Sequence, residues 1–118
     1  MKYFIDIHRD SITKNYSTVL INNKNYAKVL FVIGKDHNAW QQNNNLASIL
    51  NNLINKYYPG LSRGIIQKEG RGVNGIYNQD ISPNCILIEV GGVDNTIEEV
   101  NNTMLALSDI LTKHIKGE

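Results

Sequence analysis

A nearly continuous apolar run from residue 27 to residue 33, closed by Gly34, constrains the fold of this chain more than any other segment. A strand that is apolar at almost every position must be covered on both faces, as it is inside the sheet of an α/β protein. Two further runs, residues 3–7 and 86–90, are rich in β-branched, aromatic and aliphatic residues, which is typical of strands. We therefore expect a sheet built around the strand at 27–33.

Two segments with helical periodicity accompany these strands. Apolar residues at helical spacing predict an amphipathic helix over residues 42–57, which a Pro-Gly pair ends. A second long helix is predicted over residues 96–115, where Thr96 and Glu99 have the spacing of a capping box. The helix side chains expected in the core are Leu46, Leu50, Leu53, Val100, Met104, Leu107 and Leu111.

The alternation of strands and helices predicts one α/β domain over residues 1–118, with a largely parallel sheet flanked by helices. Residues 12–26 predict a loop with a short edge strand, and residues 64–68 predict a further strand. Residues 69–84 are rich in Gly, Asn, Asp and Pro and predict an ordered functional loop or hairpin. Within it, residues 70–75 have the spacing of a dinucleotide-binding fingerprint, but no helical period follows to form the pyrophosphate site. These glycines are therefore expected to permit turns.

Composition and charge exclude several classes of function. The net charge is +1, with 42% hydrophobic and 19% charged residues, so nothing indicates a nucleic-acid binder or a polybasic membrane anchor. The longest apolar stretch, residues 29–33, is far too short to span a bilayer, and the first residues have no signal-peptide pattern. The single Cys85 has no partner for a disulfide or a cysteine-type zinc site, and its apolar neighbours favour a buried, inert thiol.

Glu89 is the most unusual side chain in the strand-like segments. It lies near the end of an otherwise apolar strand, before Gly91 and Gly92, and open α/β sheets bind ligands beyond the carboxyl ends of their strands. A carboxyl group among aliphatic side chains is partly desolvated, which raises its pKa toward the range that suits a general acid or base. The alternative is a Glu89 that points to solvent or pairs with an arginine, and the pattern alone supports both equally.

Histidines are the second set of candidates. His8 ends the first predicted strand and can cap it, hydrogen-bond to Asp6 or Asp10, or bind a metal ion. His37 follows another predicted strand and is a candidate to approach His8. His114 lies late in the last predicted helix, where a cation suits the helix dipole, and it carries no functional prediction.

Six short segments occur in one order along nearly the whole chain. They are residues 4–11 (FIDIHRDS), 28–34 (KVLFVIG), 37–43, 58–64 (YPGLSRG), 77–82 (YNQDIS) and 87–99, which begins with LIEVGG. Each segment is short, but the set resembles the stage II sporulation protein P family, the peptidoglycan hydrolases of spore engulfment. The chain departs from the family pattern at Asn38 and Ala39, where a Pro-Asn pair is expected before Trp40.

This resemblance implies a fold similar to that of the zinc-dependent N-acetylmuramoyl-L-alanine amidases, a three-layer domain with helices on both faces of the sheet. It also implies hydrolysis of the amide between N-acetylmuramic acid and L-alanine, and endopeptidase action on peptide cross-links. The family holds Zn²⁺ with two His and one Glu and uses a further Glu as catalytic base. On this resemblance His8 matches the second ligand His, and Glu89 matches the catalytic Glu.

In the family, the first ligand His and the ligand Glu belong to an upstream part of the catalytic domain. Residues 1–118 are therefore expected to form the C-terminal part of that domain. Catalytic zinc normally has three protein ligands and a water molecule. One alternative is a site rebuilt with His37 and Asp10, and another is a module that binds peptidoglycan or a sporulation partner without cutting. A third is a metallo-carboxypeptidase-like hydrolase, which would use Arg63 or Arg71 to bind the terminal carboxylate of its substrate.

Substrate and partner expectations follow from the same resemblance. Arg63, Asn78, Gln79 and Asp80 are expected to bind stem peptide or glycan, although Asn and Asp also close turns and Arg63 suits a structural ion pair equally well. Peptidoglycan and other engulfment proteins are the expected partners, and nucleic acid is not expected. The full-length parent is expected to be extracytoplasmic and membrane-anchored, with residues 1–118 as a soluble part that contains no membrane segment.

Overall fold

The computed structural model describes residues 3–69 and 84–117, and no helix in these ranges is long and apolar enough to cross a membrane. The strands are β1 (Phe4–Asp10), β2 (Thr18–Ile21), β3 (Lys24–Ala27), β4 (Val29–Gly34), β5 (Ser62–Lys68) and β6 (Cys85–Gly92). The helices are α1 (Lys14–Ser17), α2 (Trp40–Tyr57) and α3 (Ile97–Ile115). The main predicted strands and both long helices are present, and their ends differ from the predicted ones by three residues or fewer.

Four strands form one sheet in the order β1-β6-β4-β5. β6 runs parallel to β1 and β5 runs parallel to β4, but the central pair of β4 and β6 is antiparallel. The expected largely parallel sheet is therefore only partly parallel. Because of this reversal, the carboxyl ends of β1 and β6 lie at the same end of the sheet as the amino ends of β4 and β5.

The larger part of the core lies between one face of this sheet and the two long helices. Successive residues of a strand point to opposite faces, and alternate residues of β4 and β6 join both helices in one cluster. This cluster includes Val29, Phe31, Ile33, Ile86, Ile88 and Val90 from the sheet and Leu46, Ala47, Leu50, Ile54, Ala106, Leu107 and Ile110 from the helices. Leu30, Val32 and Leu87 form a smaller cluster on the other face. Within the described ranges both long helices thus cover the same face, and the three-layer arrangement stays a prediction.

Most helix residues that the periodicity assigns to the core are at least partly buried. Leu46, Leu50 and Leu107 are buried, and Leu53, Val100 and Leu111 are half-buried against the core. The prediction is wrong for Met104, which is 38% exposed. Thr103 takes the inward position instead, because its hydroxyl donates a 2.6 Å hydrogen bond to the Ala27 carbonyl.

The polar segment before β4 forms a two-stranded hairpin rather than a loop with a single edge strand. β2 and β3 pair in antiparallel register from Thr18–Ala27 to Ile21–Lys24. Asn22 and Asn23 form the turn with φ of 49° and 66°, the left-handed conformation that a two-residue hairpin turn requires. The hairpin packs against α3 and forms a separate two-stranded sheet beside the main sheet.

The predicted capping box at the start of α3 is confirmed. The Glu99 amide donates to the Thr96 hydroxyl at 3.1 Å, and the Thr96 amide donates to the Glu99 carboxylate at 2.9 Å. Glu99 is only 5% exposed, accepts a hydrogen bond from the Asn95 side chain, and lies 3.4 Å from the Lys14 ammonium group. Burial alone would raise the pKa of Glu99, but the hydrogen bonds from Thr96, Asn95 and Lys14 outweigh burial and lower its pKa.

Replacing Glu99 by Gln should destabilise the protein at neutral pH by about 1.5–3 kcal/mol, the usual contribution of hydrogen bonds to a charged group. The pKa of Glu99 is lower in the folded state than in the unfolded state. Its contribution is therefore complete above the ordinary Glu pKa and is lost as the pH falls through the lowered value. Urea unfolding at neutral and at acidic pH checks this, with the exposed Glu98→Gln as control. An equal destabilisation by Glu99→Gln at both pH values would contradict the electrostatic explanation.

Candidate functional site

His8 and Glu89, both singled out by the sequence, occupy paired positions on neighbouring strands. β1 and β6 run parallel, and His8 is the register partner of Glu89. The backbones of such neighbours lie about 4.8 Å apart. Ile7 and Ile88, one position earlier on each strand, line a cavity against the long helices, so His8 and Glu89 lie on the opposite face of the sheet. The structure therefore brings these two predicted residues together.

Glu89 is half-buried within a strand whose other residues are buried. Burial raises the pKa of its carboxyl group, and the negative charge of Asp10 and a hydrogen bond with Asp10 raise it further. The positive charges of Arg63 and Lys68 act in the opposite direction without cancelling the rise in pKa. A carboxyl group with a raised pKa is better matched to proton transfer near neutral pH.

An ion pair between Asp10 and Arg63 lies beside Glu89. The Arg63 Nη1 donates a 2.7 Å hydrogen bond to Asp10 Oδ2, and the Ser11 amide donates a 2.7 Å hydrogen bond to Asp10 Oδ1. Burial alone would raise the pKa of Asp10, but these donors, the charge of Arg63 and the hydrogen bond with Glu89 lower it. The two carboxyl groups are thus shifted in opposite directions, with Asp10 held ionised and Glu89 the more readily protonated.

His8 is oriented by a carboxylate on its own strand. His8 Nε2 lies 3.0 Å from Asp6 Oδ2. Histidines that bind metals commonly donate one ring nitrogen to a carboxylate, which fixes the tautomer and leaves the other nitrogen, here Nδ1, for the metal. The two side chains are 51% and 47% exposed, so a ligand can reach them. This arrangement fits the role of one metal ligand.

The described residues supply only part of a metal site. Within residues 3–69 and 84–117, no group of three or more His, Cys, Asp and Glu side chains is placed to hold a metal ion. Leu30 of β4 is the register partner of Glu89, and Gly34 at the end of β4 lies four residues, about 13 Å, further along the strand. His37 follows Gly34, so the expectation that it approaches His8 or rebuilds the site is wrong. The reason is that β4 runs antiparallel to β6.

Arg63 is the one predicted substrate-binding residue that lies within the described ranges. Its side chain is engaged by Asp10, so the ion pair that the sequence left open is the arrangement observed. Among the described residues, Arg63 acts on Glu89 by its charge and is bonded to Asp10 rather than to Glu89 itself. Asn78, Gln79 and Asp80 lie outside the described residues.

The turn that follows Glu89 is held by contacts that residue spacing does not reveal. Gly91 has a φ of +65°, and a Cβ there would lie 2.5 Å from Asn95 Oδ1. That oxygen accepts hydrogen bonds of 2.7 Å from the Gly92 amide and 2.7 Å from the Ser17 hydroxyl. The geometry therefore requires glycine at position 91, and Asn95, which also donates to the Thr18 hydroxyl, joins the turn to the end of α1 and the start of β2.

A bulge interrupts the regular pairing of β1 with β6 between Glu89 and Asp10. Between the pairs His8–Glu89 and Asp10–Gly92, β6 has one residue more than β1. A bulge re-aims the side chains around it, and Asp10 acts electrostatically on Glu89 although the two are not register partners. The two glycines after Glu89 signal such an irregularity in the sequence, whereas the Asp10 contact depends on the pairing itself.

Two cavities border this region and differ in chemistry. One of about 540 Å³ opens at the carboxyl ends of β1 and β6, where His8, Arg9, Gly92 and Asn95 are among its lining residues. The other, about 300 Å³, lies between the sheet and the long helices and is lined by apolar side chains with two hydroxyl groups. Among the described residues, no titratable side chain lines the second cavity. The first borders His8 and Arg9 but is also lined by Ile7, Val90 and Val100 on the helix-covered face, so neither cavity joins His8 to Glu89.

Comparison with known proteins points to one family. The family model described as Stage II sporulation protein P (SpoIIP) matches residues 1–112. Stage II sporulation protein P of Bacillus subtilis (strain 168) is 44% identical over 113 residues, which cover 96% of this chain and 28% of the Bacillus protein. The chain thus spans between a quarter and a third of that relative. No solved structure matches it. With a family model covering nearly its whole length, the chain belongs to the stage II sporulation protein P family.

Proposed function

We propose that this chain contributes to the active site of a zinc-dependent N-acetylmuramoyl-L-alanine amidase that cuts peptidoglycan during spore engulfment. The observation that carries the proposal is the pairing of His8 with Glu89 near the carboxyl ends of β1 and β6. Ligands of α/β sheets bind at such strand ends. Membership of a sporulation protein family supports the biological process.

Each of the two residues has one role in this proposal. His8, oriented by Asp6, is one of the ligands of Zn²⁺. When bound, the zinc ion polarises the substrate carbonyl and lowers the pKa of a water molecule. Glu89 accepts the proton of the attacking water and returns it to the leaving amine. Its raised pKa suits both steps, because a group that titrates closer to neutrality both accepts and releases a proton readily.

The proposed substrate is the amide bond between N-acetylmuramic acid and L-alanine, with endopeptidase action on peptide cross-links as a second activity. Asn78, Gln79 and Asp80 are the proposed contacts to stem peptide or glycan. We propose other engulfment proteins as partners, and an extracytoplasmic, membrane-anchored location for the full-length protein.

A second candidate is a module that binds peptidoglycan or a sporulation partner without cutting it. For the segment taken by itself, the lack of a three-ligand group within residues 3–69 and 84–117 favours this candidate. The two candidates differ in the metal affinity and the products that they predict for the full-length protein.

Residues 1–118 alone should bind zinc weakly, with a Kd in about the micromolar range or above, because a single histidine cannot match a three-ligand site. The full-length protein should bind zinc stoichiometrically and much more tightly, and it should release fragments cut at the muramoyl amide. Isothermal titration calorimetry measures the affinities, and mass spectrometry of digested peptidoglycan identifies the bond. A tight site in the segment that survives His8→Ala would show that the ligand is misassigned.

His37→Ala is the matched control for the metal measurement. His37 follows β4 at the other end of the sheet, so its loss should leave zinc binding by the full-length protein unchanged. His8→Ala should lower zinc content and hydrolysis together. A full-length protein that binds peptidoglycan but neither holds zinc nor releases products would favour the binding module.

A further inference from the structure

The ion pair of Arg63 and Asp10 connects the two outer strands of the four-stranded sheet. Arg63 lies at the start of β5 and Asp10 at the end of β1, with β4 and β6 between them. The guanidinium Nη1 is 2.7 Å from Asp10 Oδ2, and the two side chains are only 24% and 19% exposed. An arginine that crosses two strands to a carboxylate in this way does not extend toward a ligand in solvent.

Both carboxylate oxygens of Asp10 are held by donors. Oδ1 accepts from the Ser11 amide, and Oδ2 accepts from Arg63. The same carboxylate interacts with the carboxyl group of Glu89, which donates a hydrogen bond to Asp10 when Glu89 is protonated. With a donor on each oxygen, Asp10 cannot rotate away, and it presents a fixed acceptor to Glu89. Catalytic groups work only when neighbouring hydrogen bonds hold them within about 0.5 Å of the productive position.

We propose that Asp10 and Arg63 are positioning residues that hold the carboxyl group of Glu89 in its working orientation, and that Arg63 is not a contact to substrate. This inference rests on the proposed function and changes the role that the sequence suggested for Arg63. His8 has its own carboxylate partner, Asp6, so the proposed ligand and the proposed base are oriented by separate hydrogen bonds.

Steady-state kinetics of the full-length protein separate positioning from substrate binding. Asp10→Asn and Arg63→Gln should each lower kcat about ten- to a hundredfold, the usual effect of losing a partner that orients a functional group, with KM little changed. A substrate-binding arginine would instead show a raised KM at unchanged kcat. The double variant should be no worse than the poorer single variant, because the two residues act as one unit.

Lys68→Gln is the matched control for Arg63→Gln. Lys68 also lies on β5 and lowers the pKa of Glu89 by charge, without a hydrogen bond to Asp10. If charge alone explained the role of Arg63, the two variants would lose similar activity. We expect Lys68→Gln to keep kcat within about twofold of the wild-type value, since exposed charges at this range contribute little.

Carbodiimide labelling of Glu89, measured by peptide mass spectrometry, tests the interaction of Glu89 with Asp10 in an assay that does not depend on enzymatic activity. Glu89 is half-buried and bonded to Asp10, so it should label slowly in the wild-type protein and several-fold faster in Asp10→Asn and Arg63→Gln. If the wild-type protein hydrolyses nothing but this labelling pattern holds, the proposed function fails and the positioning role stands. Unchanged labelling in both variants, or a raised KM at normal kcat in Arg63→Gln, overturns the inference.

Discussion

Glu89→Gln in the full-length protein is expected to leave folding and zinc content nearly intact and to remove most hydrolysis of the muramoyl amide. Gln is almost isosteric with Glu and can still hydrogen-bond to Asp10, so the packing at the end of β6 should survive. It cannot accept a proton near neutral pH, so the attacking water loses its base. The expected loss in kcat is about 10²–10⁴-fold. Turnover of purified muropeptides, with zinc measured on the same samples, checks both parts.

His8→Ala distinguishes the role of ligand from the role of base, because it should remove zinc and activity together. Glu89→Gln with near wild-type turnover, or with the zinc loss expected of His8→Ala, would contradict the assignment of Glu89 as the base. Glu69 does not offer a replacement, since it follows β5 at the opposite end of the sheet and lies 3.7 Å from the Lys35 ammonium group. Asp80 would then be the next candidate.

Phe31→Ala is expected to destabilise the protein by about 3–5 kcal/mol, the usual cost of removing a buried ring. Phe31 is fully buried in β4, between its register partners Ile65 and Ile88. It also lines the apolar cavity below the helices, so the substitution enlarges an existing space that the core does not readily fill. Small domains have about 5–15 kcal/mol of stability, so this loss is a large share of it. Urea unfolding followed by circular dichroism measures the change.

Phe4→Ala provides the matched control, since the same side chain is removed from an outer strand. Phe4 is 45% exposed on β1, and its loss should cost less than about 1 kcal/mol. Comparable losses of stability in the two variants would contradict the location of the core between the sheet and the long helices.

The elements of this fold are predictable where their signals are local. The apolar run that becomes β4 and the periodic spacing that becomes α2 can each be read without knowing any neighbour. The direction of β4 relative to β6 cannot be predicted in this way, because a parallel and an antiparallel neighbour bury the same apolar side chains. The sequence does not predict the hairpin of β2 and β3, because Asn22-Asn23 is a weaker turn signal than Asn-Gly.

The candidate site shows the same division between local and long-range information. His8 and Glu89 are visible in the sequence, since an ionisable residue near the end of an apolar strand is unusual wherever it occurs. The Asp6 partner of His8 is also visible, two positions earlier on the same strand. The neighbours of Glu89 are not, because Arg63 lies 53 positions from Asp10 and meets it only through the reversal between β4 and β6. That reversal also places His37 at the wrong end of the sheet to serve as a ligand.

The bond between Arg63 and Asp10 has a consequence for the order in which the protein folds. It joins the first and last strands of the β1-β6-β4-β5 order, so it can form only after the two inner strands have paired. Contacts between residues far apart in sequence close a long loop, and the entropic cost delays them relative to local structure. A chain in which β1 and β5 have not both joined the sheet therefore lacks the Asp10–Arg63 contact beside Glu89. On the proposed function, the orientation of Glu89 would be complete only when the whole sheet has formed.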